Sequence, residues 1–366
     1  MNVCFMKIMH VLWGLKYGGA ETMLVDIVNR QCRNHTVEIL LINDDVNELL
    51  LKQIDSSIPV VKINRPLKNK NFFYILKLNS LVLFSAADII HFHQENIIRY
   101  LFVRFLKRNF CLTVHSNVMD VAYVKQFKFI FAISTKVKEE IWYKTGREAV
   151  LIPNGIDIQK FNKKKKYHSE CFRIVQIGGL NHLWKGQHIA LEALRQIVQI
   201  HGYQYVHLDF IGDGDSKGYL QELSNQLNMN SYITFEGNRS REYIQKNLSS
   251  YNLLIQPSII EGFGLAVLEA MAAMVPTLIS DVEGMKMISK NGELSYTFQS
   301  GNTDDLAQKI IYIIHLPVIK MKSLTYKAYN YVSAHFDITS TSDNYLRNYE
   351  LILNNIKKTA YENSNT

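Results

Sequence analysis

The 366-residue chain has only four cysteines, Cys4, Cys32, Cys111 and Cys171, and no two of them stand at a paired spacing. Such scattered thiols point to neither a zinc site nor a disulfide framework, and they suit a reducing, cytoplasmic setting. No apolar run approaches the roughly 20 residues that a membrane-spanning helix needs. The first 15 residues are mostly apolar, with Lys7 their single charge, yet no small-residue cleavage site follows them. A first β-strand explains them better than a signal peptide does, whether translation starts at Met1 or at Met6. Zinc-finger and RNP-type signatures are missing, which argues against a nucleic-acid partner.

What is present is an ordinary globular composition, with 47% hydrophobic and 20% charged residues. The length exceeds what one hydrophobic core usually supports, so two domains are expected. The net charge of +8 is unevenly spread: residues 1–166 hold 25 Lys and Arg against 14 Asp and Glu, and the rest has a small acidic excess. The first half therefore suits an anionic partner, and an anionic membrane surface or a phosphate-bearing acceptor fits better than nucleic acid. Its basic clusters include Arg104, Lys107 and Arg108.

Strand-like apolar runs alternate with helix-like segments along the whole chain. Residues 7–14 read as a buried strand, Gly18-Gly19 as a turn, and Met23, Leu24, Ile27 and Val28 as the stripe of a following helix. Further strands are expected at 37–42, 60–63, 89–93, 110–115 and 129–134, with helices at 46–54, 71–84 and 135–144. In a parallel sheet covered on both faces, ligands sit beyond the carboxyl ends of strands. Gly18, His93, His115 and Ser134 would all fall there. Residues 150–157 read as strand and turn, and Lys163–Lys166 as a solvated bridge marking a domain boundary. The second half repeats the rhythm, with strands at 172–177, 206–211, 233–237, 253–257 and 275–280 and a last helix over 342–358.

One stretch concentrates chemistry, Glu261-Gly-Phe-Gly-Leu-Ala-Val-Leu-Glu269. It reads as a turn opening into a helix that is apolar on every face except at Glu269. A buried acid normally has a partner, because unpaired it costs several kcal/mol or takes up a proton. Glycines at 262 and 264 would admit a ligand to the helix start, where free N–H groups favour anions. Two acids, a glycine turn and a helix N-terminus suggest a site for a polar, partly anionic ligand.

That string, following Pro257-Ser-Ile-Ile, resembles the two-glutamate motif of glycosyltransferase family 4, whose members are retaining enzymes using nucleotide sugars. Gly18-Gly19-Ala20-Glu21, Thr113-Val-His115, Ile152-Pro-Asn-Gly-Ile-Asp157, Lys185-Gly186 and Phe210-Ile-Gly-Asp-Gly214 support the resemblance over nearly the whole chain. It implies an α/β protein of two Rossmann-like domains facing across a cleft, the GT-B architecture. Residues 1–166 would bind the acceptor, 167–338 the nucleotide sugar, and 339–366 would form a helix crossing back to the first domain and a polar tail.

By the same resemblance, Glu261 would contact the donor sugar and Glu269 the ribose. Backbone groups of Gly262, Phe263, Gly264 and Leu265 would hold the sugar and diphosphate. Lys185 would neutralise the leaving diphosphate without a metal, Gly18 and Gly19 would lie against phosphates or acceptor, and His115 would act at the donor sugar. The acceptor implied is a glycan or lipid-linked saccharide, in cell-surface polysaccharide synthesis, with the protein cytoplasmic or peripheral on the inner face of the membrane. No cofactor beyond the donor substrate is expected.

The pattern also has departures. Gly179 stands where an arginine is usual, and Arg239 is the candidate to replace it. Met274 occupies a helix-ending position where glycine is common, and Met287 one where an acid is often found. The missing arginine admits one alternative, an inactive relative that binds nucleotide sugar as a partner subunit. The shared twin-Rossmann architecture admits another, a sugar-nucleotide epimerase, against which the Glu261–Glu269 string argues.

Overall fold

Short apolar runs bounded by turn residues form two parallel sheets, each in its own unit. The structure is a computed structural model and describes residues 5–16, 18–102, 109–116 and 119–364, with side chains to residue 358. The basic cluster Arg104, Lys107 and Arg108 lies outside the described residues. Unit one comprises Met1–Gly155 and Ile338–Thr366, and unit two Ile156–Asp337.

In unit one the order is β1 (Lys7–Leu12), α1 (Gly19–Gln31), β2 (Thr36–Asn43), α2 (Glu48–Leu51), β3 (Val60–Arg65), α3 (Phe72–Leu83), β4 (Ile89–Phe92), β5 (Phe110–Val114), α4 (Val121–Val124), β6 (Phe129–Ala132), α5 (Thr135–Thr145) and β7 (Val150–Leu151). The strands lie in the order β3-β2-β1-β4-β5-β6-β7, with every pair parallel. The helix expected over 46–54 is a single turn, capped by the Asn47 side chain, which accepts from Leu50 N. Ser134 likewise caps α5, accepting from Val137 N.

Unit two runs β8 (Phe172–Ile177), α6 (His182–Lys185), α7 (Gln187–Arg195), β9 (Val206–Ile211), α8 (Lys217–Gln226), β10 (Ile233–Gly237), α9 (Arg241–Asn247), β11 (Leu253–Gln256), α10 (Leu265–Ala272), β12 (Thr277–Ser280), α11 (Glu283–Ser289), β13 (Tyr296–Phe298), α12 (Thr303–Ile314) and α13 (Val318–His335). Its strand order, β10-β9-β8-β11-β12-β13, repeats the first arrangement. The direction of winding reverses between β8 and β11, and loops beyond such a switch point are where open α/β sheets bind ligands. Gly178-Gly179 follows β8, and the Ser258–Gly264 stretch follows β11.

A final helix, α14 (Ile338–Ser364), belongs to unit one. Tyr345, Tyr349 and Ile352 bury their side chains in one cluster with Ile8, Met23, Ile27 and Phe131.

The boundary falls about ten residues earlier than the composition suggests, and the lysine run explains the shift. Lys164 is no solvated linker residue: it is 6% exposed. Its Nζ donates to the carbonyls of Tyr251 (2.6 Å) and Ser249 (3.3 Å), and its N–H donates to Ala273 O (2.8 Å). Asn162 N donates to Gln245 O at 2.9 Å. Residues 156–166 are thus sewn onto unit two.

The α10–β12 connection carries a backbone cost. Met274 takes φ +57°, the left-handed conformation that glycine adopts freely and that costs other residues roughly 1–2 kcal/mol. At the other end of β12, the first turn of α11 lies on the peptide after Glu261. A Cβ on Gly284 would sit 1.7 Å from Glu261 O.

Two predictions follow from these contacts. Burial lowers the Lys164 ammonium from 10.5 to about 8. Between those values the unfolded chain binds more protons, so this group makes the native state more stable as pH rises through the window. In urea titrations, native protein should gain roughly 2–3 kcal/mol relative to Lys164→Met between about pH 7.5 and 10.5; a flat or falling difference refutes the assignment. Gly284→Ala should cost about 1–3 kcal/mol through overpacking. Gly218→Ala, where nothing lies within 4 Å of the added carbon, should cost nothing. Equal midpoints for the two variants would contradict the packing described.

Candidate active site

In unit two, local geometry forces Lys185 and Glu261 together. Asn181 caps α6, and the helix ends at Gly186 with φ +65°. Any Cβ on Gly186 would lie 1.9 Å from Pro257 O, so only glycine lets this turn reach the loop after β11. Ile259 N and Ile260 N both donate to Trp184 O, at 2.8 and 3.1 Å, and fasten the two segments. Lys185 Nζ then meets Glu261 Oε2 at 2.8 Å, with the carboxylate side chain 10% exposed.

Glu261 is held from several sides. Ser258 Oγ and Gln256 Nε2 approach Oε2 at 3.3 and 3.4 Å, and Gly262 N donates to Oε1 at 3.2 Å. Ser280 Oγ donates to Ser258 O at 2.6 Å, and Gln176 Nε2 donates to Lys185 O at 2.8 Å. Gln176, Gln256, Ser258 and Ser280 are missing from the sequence-based site. Their only sequence signal is a polar residue inside or just after an apolar strand. Gln176 Oε1 and Gln256 Oε1 are buried without a partner among the described residues.

Gly264 caps α10 with φ +94°, and the first amides of that eight-residue helix belong to Leu265 and Ala266. Phe263 points inward, 2% exposed, with its ring 5.8 Å from that of Phe336. Only its backbone is left for a ligand. Glu269 is half-buried rather than buried, as are Leu265 and Ala266, so α10 does keep one accessible face. Arg239 is exposed and paired with Glu236, its guanidinium 5.1 Å from the Tyr243 ring. At Gly179 an added Cβ would find its nearest neighbour, Asp213 O, 3.9 Å away, so the position has room for a side chain.

In unit one, Gly18 is the N-cap of α1 and Gly19 its first residue. Glu21 in that first turn has its carboxyl raised above the ordinary range by burial. His115 directly follows β5, and His93 directly follows β4 beside it. His93 Nδ1 lies 3.3 Å from His115 Nε2, and His93 Nε2 lies 3.0 Å from His10 Nδ1. His91 reaches Tyr349 OH through Nδ1 (2.6 Å) and Thr113 Oγ1 through Nε2 (2.7 Å). Burial lowers His10 and His115 to about 4 and holds His91 and His93 well below the usual value, so all four rings are neutral near pH 7.

His10, His91 and His93 have nitrogen atoms within 4.8 Å of one another, as a metal site would require. All six of their ring nitrogens are already in hydrogen bonds, however. The cluster is a neutral hydrogen-bond network, and an ion would have to break it.

Comparison with known proteins accords with this geometry. Residues 17–160 match the model described as Glycosyltransferase Family 4, and residues 157–331 the one described as Glycosyl transferases group 1. The chain is 30% identical over 162 residues to Protein CapJ of Staphylococcus aureus, covering 44% of this chain and 40% of that protein. It is 28% identical over 193 residues to an uncharacterized glycosyltransferase of Methanocaldococcus jannaschii, covering 49% of this chain and 48% of that one. The chain thus spans about half the length, or less, of these curated relatives. Among solved structures, Anabaena HepE in complex with UDP and glucose has a similar fold, with TM-score 0.81 at 21% identity over 94% of this chain and 99% of that one. WaaG, a glycosyltransferase involved in lipopolysaccharide biosynthesis, gives TM-score 0.74 at 13% identity over 93% and 98%. With its two halves matched in turn by these models and both sheets wound alike, the chain belongs to the family 4 type of glycosyltransferases, built on the GT-B fold.

Proposed function

We propose that the protein transfers a sugar, with retention of configuration, from a nucleotide-diphosphate donor to a glycan or lipid-linked saccharide in cell-surface polysaccharide synthesis. The observation that carries this reading is the Lys185–Glu261 pair beside the start of α10, at the switch point of the second sheet. The nucleotide sugar seen in the Anabaena relative supports the donor class. Glu261 would orient the sugar hydroxyls, and Glu269 the ribose, since a carboxylate accepts from vicinal hydroxyls. Lys185, with the backbone N–H groups of Gly262, Phe263, Gly264 and Leu265, would face the diphosphate and stabilise the charge that builds up as it leaves, with no metal required. Gly18 and Gly19 would lie against phosphates or acceptor, and Arg239 would lend charge if it released Glu236. His115 would accept from a sugar hydroxyl.

In the proposed step the anomeric carbon–phosphate oxygen bond breaks, with its electrons leaving on the nucleoside diphosphate. The acceptor oxygen bonds the same face of that carbon, and its proton passes to the departing phosphate oxygen. Exclusion of water would limit hydrolysis of the donor.

The lipid side of this reading is supported by α3. α3 is apolar on both sides: Leu78 and Val82 face inward, while Phe72, Phe73, Leu76, Leu83 and Phe84 form an exposed stripe, Phe84 at 80%. An outer helix face is normally polar. Phe102 extends the stripe, its exposed ring 5.7 Å from Phe72. Arg65, Lys68, Lys70 and Lys77 accompany it, and no acid occurs from residue 65 to 84. Aromatic rings beside cations fit an anionic lipid surface, each cation there contributing about 1 kcal/mol. No helix among the described residues is long and apolar enough to cross a membrane.

Thermal-shift screening against UDP-, GDP- and ADP-sugars should reveal the donor, because a ligand of the folded state raises its melting point. With that donor and an acceptor, nucleoside diphosphate should be released, and Glu261→Ala should lower turnover by about 100-fold or more while leaving the fold intact. Unchanged turnover defeats the assignment, an interconverted sugar identifies an epimerase, and binding without turnover an inactive binding partner. Native protein should float with vesicles containing phosphatidylglycerol, and Phe72→Ser/Phe73→Ser should not. Native protein that stays unbound excludes the lipid partner.

A further inference from the structure

A neutral imidazole has one N–H and one lone pair, so hydrogen-bonded neutral histidines must all point their protons the same way. His10 (β1), His93 (after β4) and His115 (after β5) form such a row, because their strands are neighbours and their side chains share one face of the sheet. The row begins at Gln31, a fully buried residue of α1 whose carbonyl oxygen lies 2.9 Å from His10 Nε2. With the Gln31 amide oriented to present its oxygen, which can only accept, His10 carries its proton on Nε2 and offers Nδ1 as a lone pair. His93 Nε2 must donate to it, which makes His93 Nδ1 the acceptor for His115 Nε2–H. The row ends on His115 Nδ1, a buried lone pair with no partner among the described residues. Leaving such an acceptor unpaired is unfavourable, so a donor brought by a ligand would be welcomed there. His91 takes no part, being engaged with Tyr349 and Thr113.

We propose that Gln31, acting through His10 and His93, fixes which nitrogen of His115 bears the proton, so that Nδ1 meets the ligand only as a hydrogen-bond acceptor. Gln31, His10 and His93 are then positioning residues, and a sugar lacking a hydroxyl at that point is discriminated against. The ligand half of this inference rests on the reading that His115 contacts a sugar. The proton arrangement does not, since it is a property of the free protein.

The test is long-range nitrogen–proton NMR on the full chain labelled with 15N-histidine, without ligand. His10, His93 and His115 should each be neutral with the proton on Nε2. In Gln31→Met, which keeps the shape but removes the acceptor, His115 should become a mixture of both tautomers. A proton on His115 Nδ1 in the native protein, or His115 signals unchanged in Gln31→Met, overturns the proposal. Should that variant not fold, the native spectrum alone decides.

The kinetic arm uses the donor found by screening. Gln31→Met should lower kcat/KM about tenfold when His115 is present and less than about twofold in a His115→Ala background. Equal losses in both backgrounds would show that Gln31 does not act through His115. If no nucleotide sugar binds the native protein, the proposed activity fails while the spectra still judge the proton arrangement.

Discussion

A carboxylate nine-tenths removed from water cannot stand alone, and the centre of the second unit is arranged around that constraint at Glu261. Lys185 satisfies it, but only because two backbones approach more closely than side chains would allow. Gly186 lets the α6 turn touch Pro257, and Gly284 lets α11 lie on Glu261 itself. Ser258 and Gln256 then hold the acid from the loop, and Gln176 holds the lysine's own carbonyl. Buried ion pairs add little net stability, because desolvation offsets most of the attraction. The arrangement is better understood as two opposite charges kept in register at a helix start.

Most of the architecture was readable from the sequence, since parallel strands buried on both faces leave long apolar runs and glycine turns mark their ends. The Glu261–Glu269 string also announced its turn and helix. Three things were not readable. Lys164 looks like part of a solvated charge run, and only the carbonyls of Ser249 and Tyr251, more than eighty residues away, make it a buried donor. The apolar residues of α3 show a helix but not that half of them face outward. The Gln31–His10–His93–His115 row joins four distant segments through strand order, which no local pattern encodes.

The first unit solves a different problem, how to place four imidazoles in one apolar layer. Charge would be prohibitive there, so each ring must be neutral and each nitrogen must find a complementary neighbour. The Tyr349–His91–Thr113–Tyr345 set does this while fastening α14 to the sheet. The other row achieves it with one lone pair left over, at His115.

The return of α14 to the first unit also sets an order of assembly. Tyr345 and Tyr349, which cover His91 and Phe131, follow the whole of unit two along the chain, whereas the sheet they cover precedes it. Contacts across more than two hundred residues of chain close slowly. The first unit is therefore completed only after the second has emerged whole. Until then its histidine layer lacks its cover, and apolar surface exposed in that way is prone to aggregate.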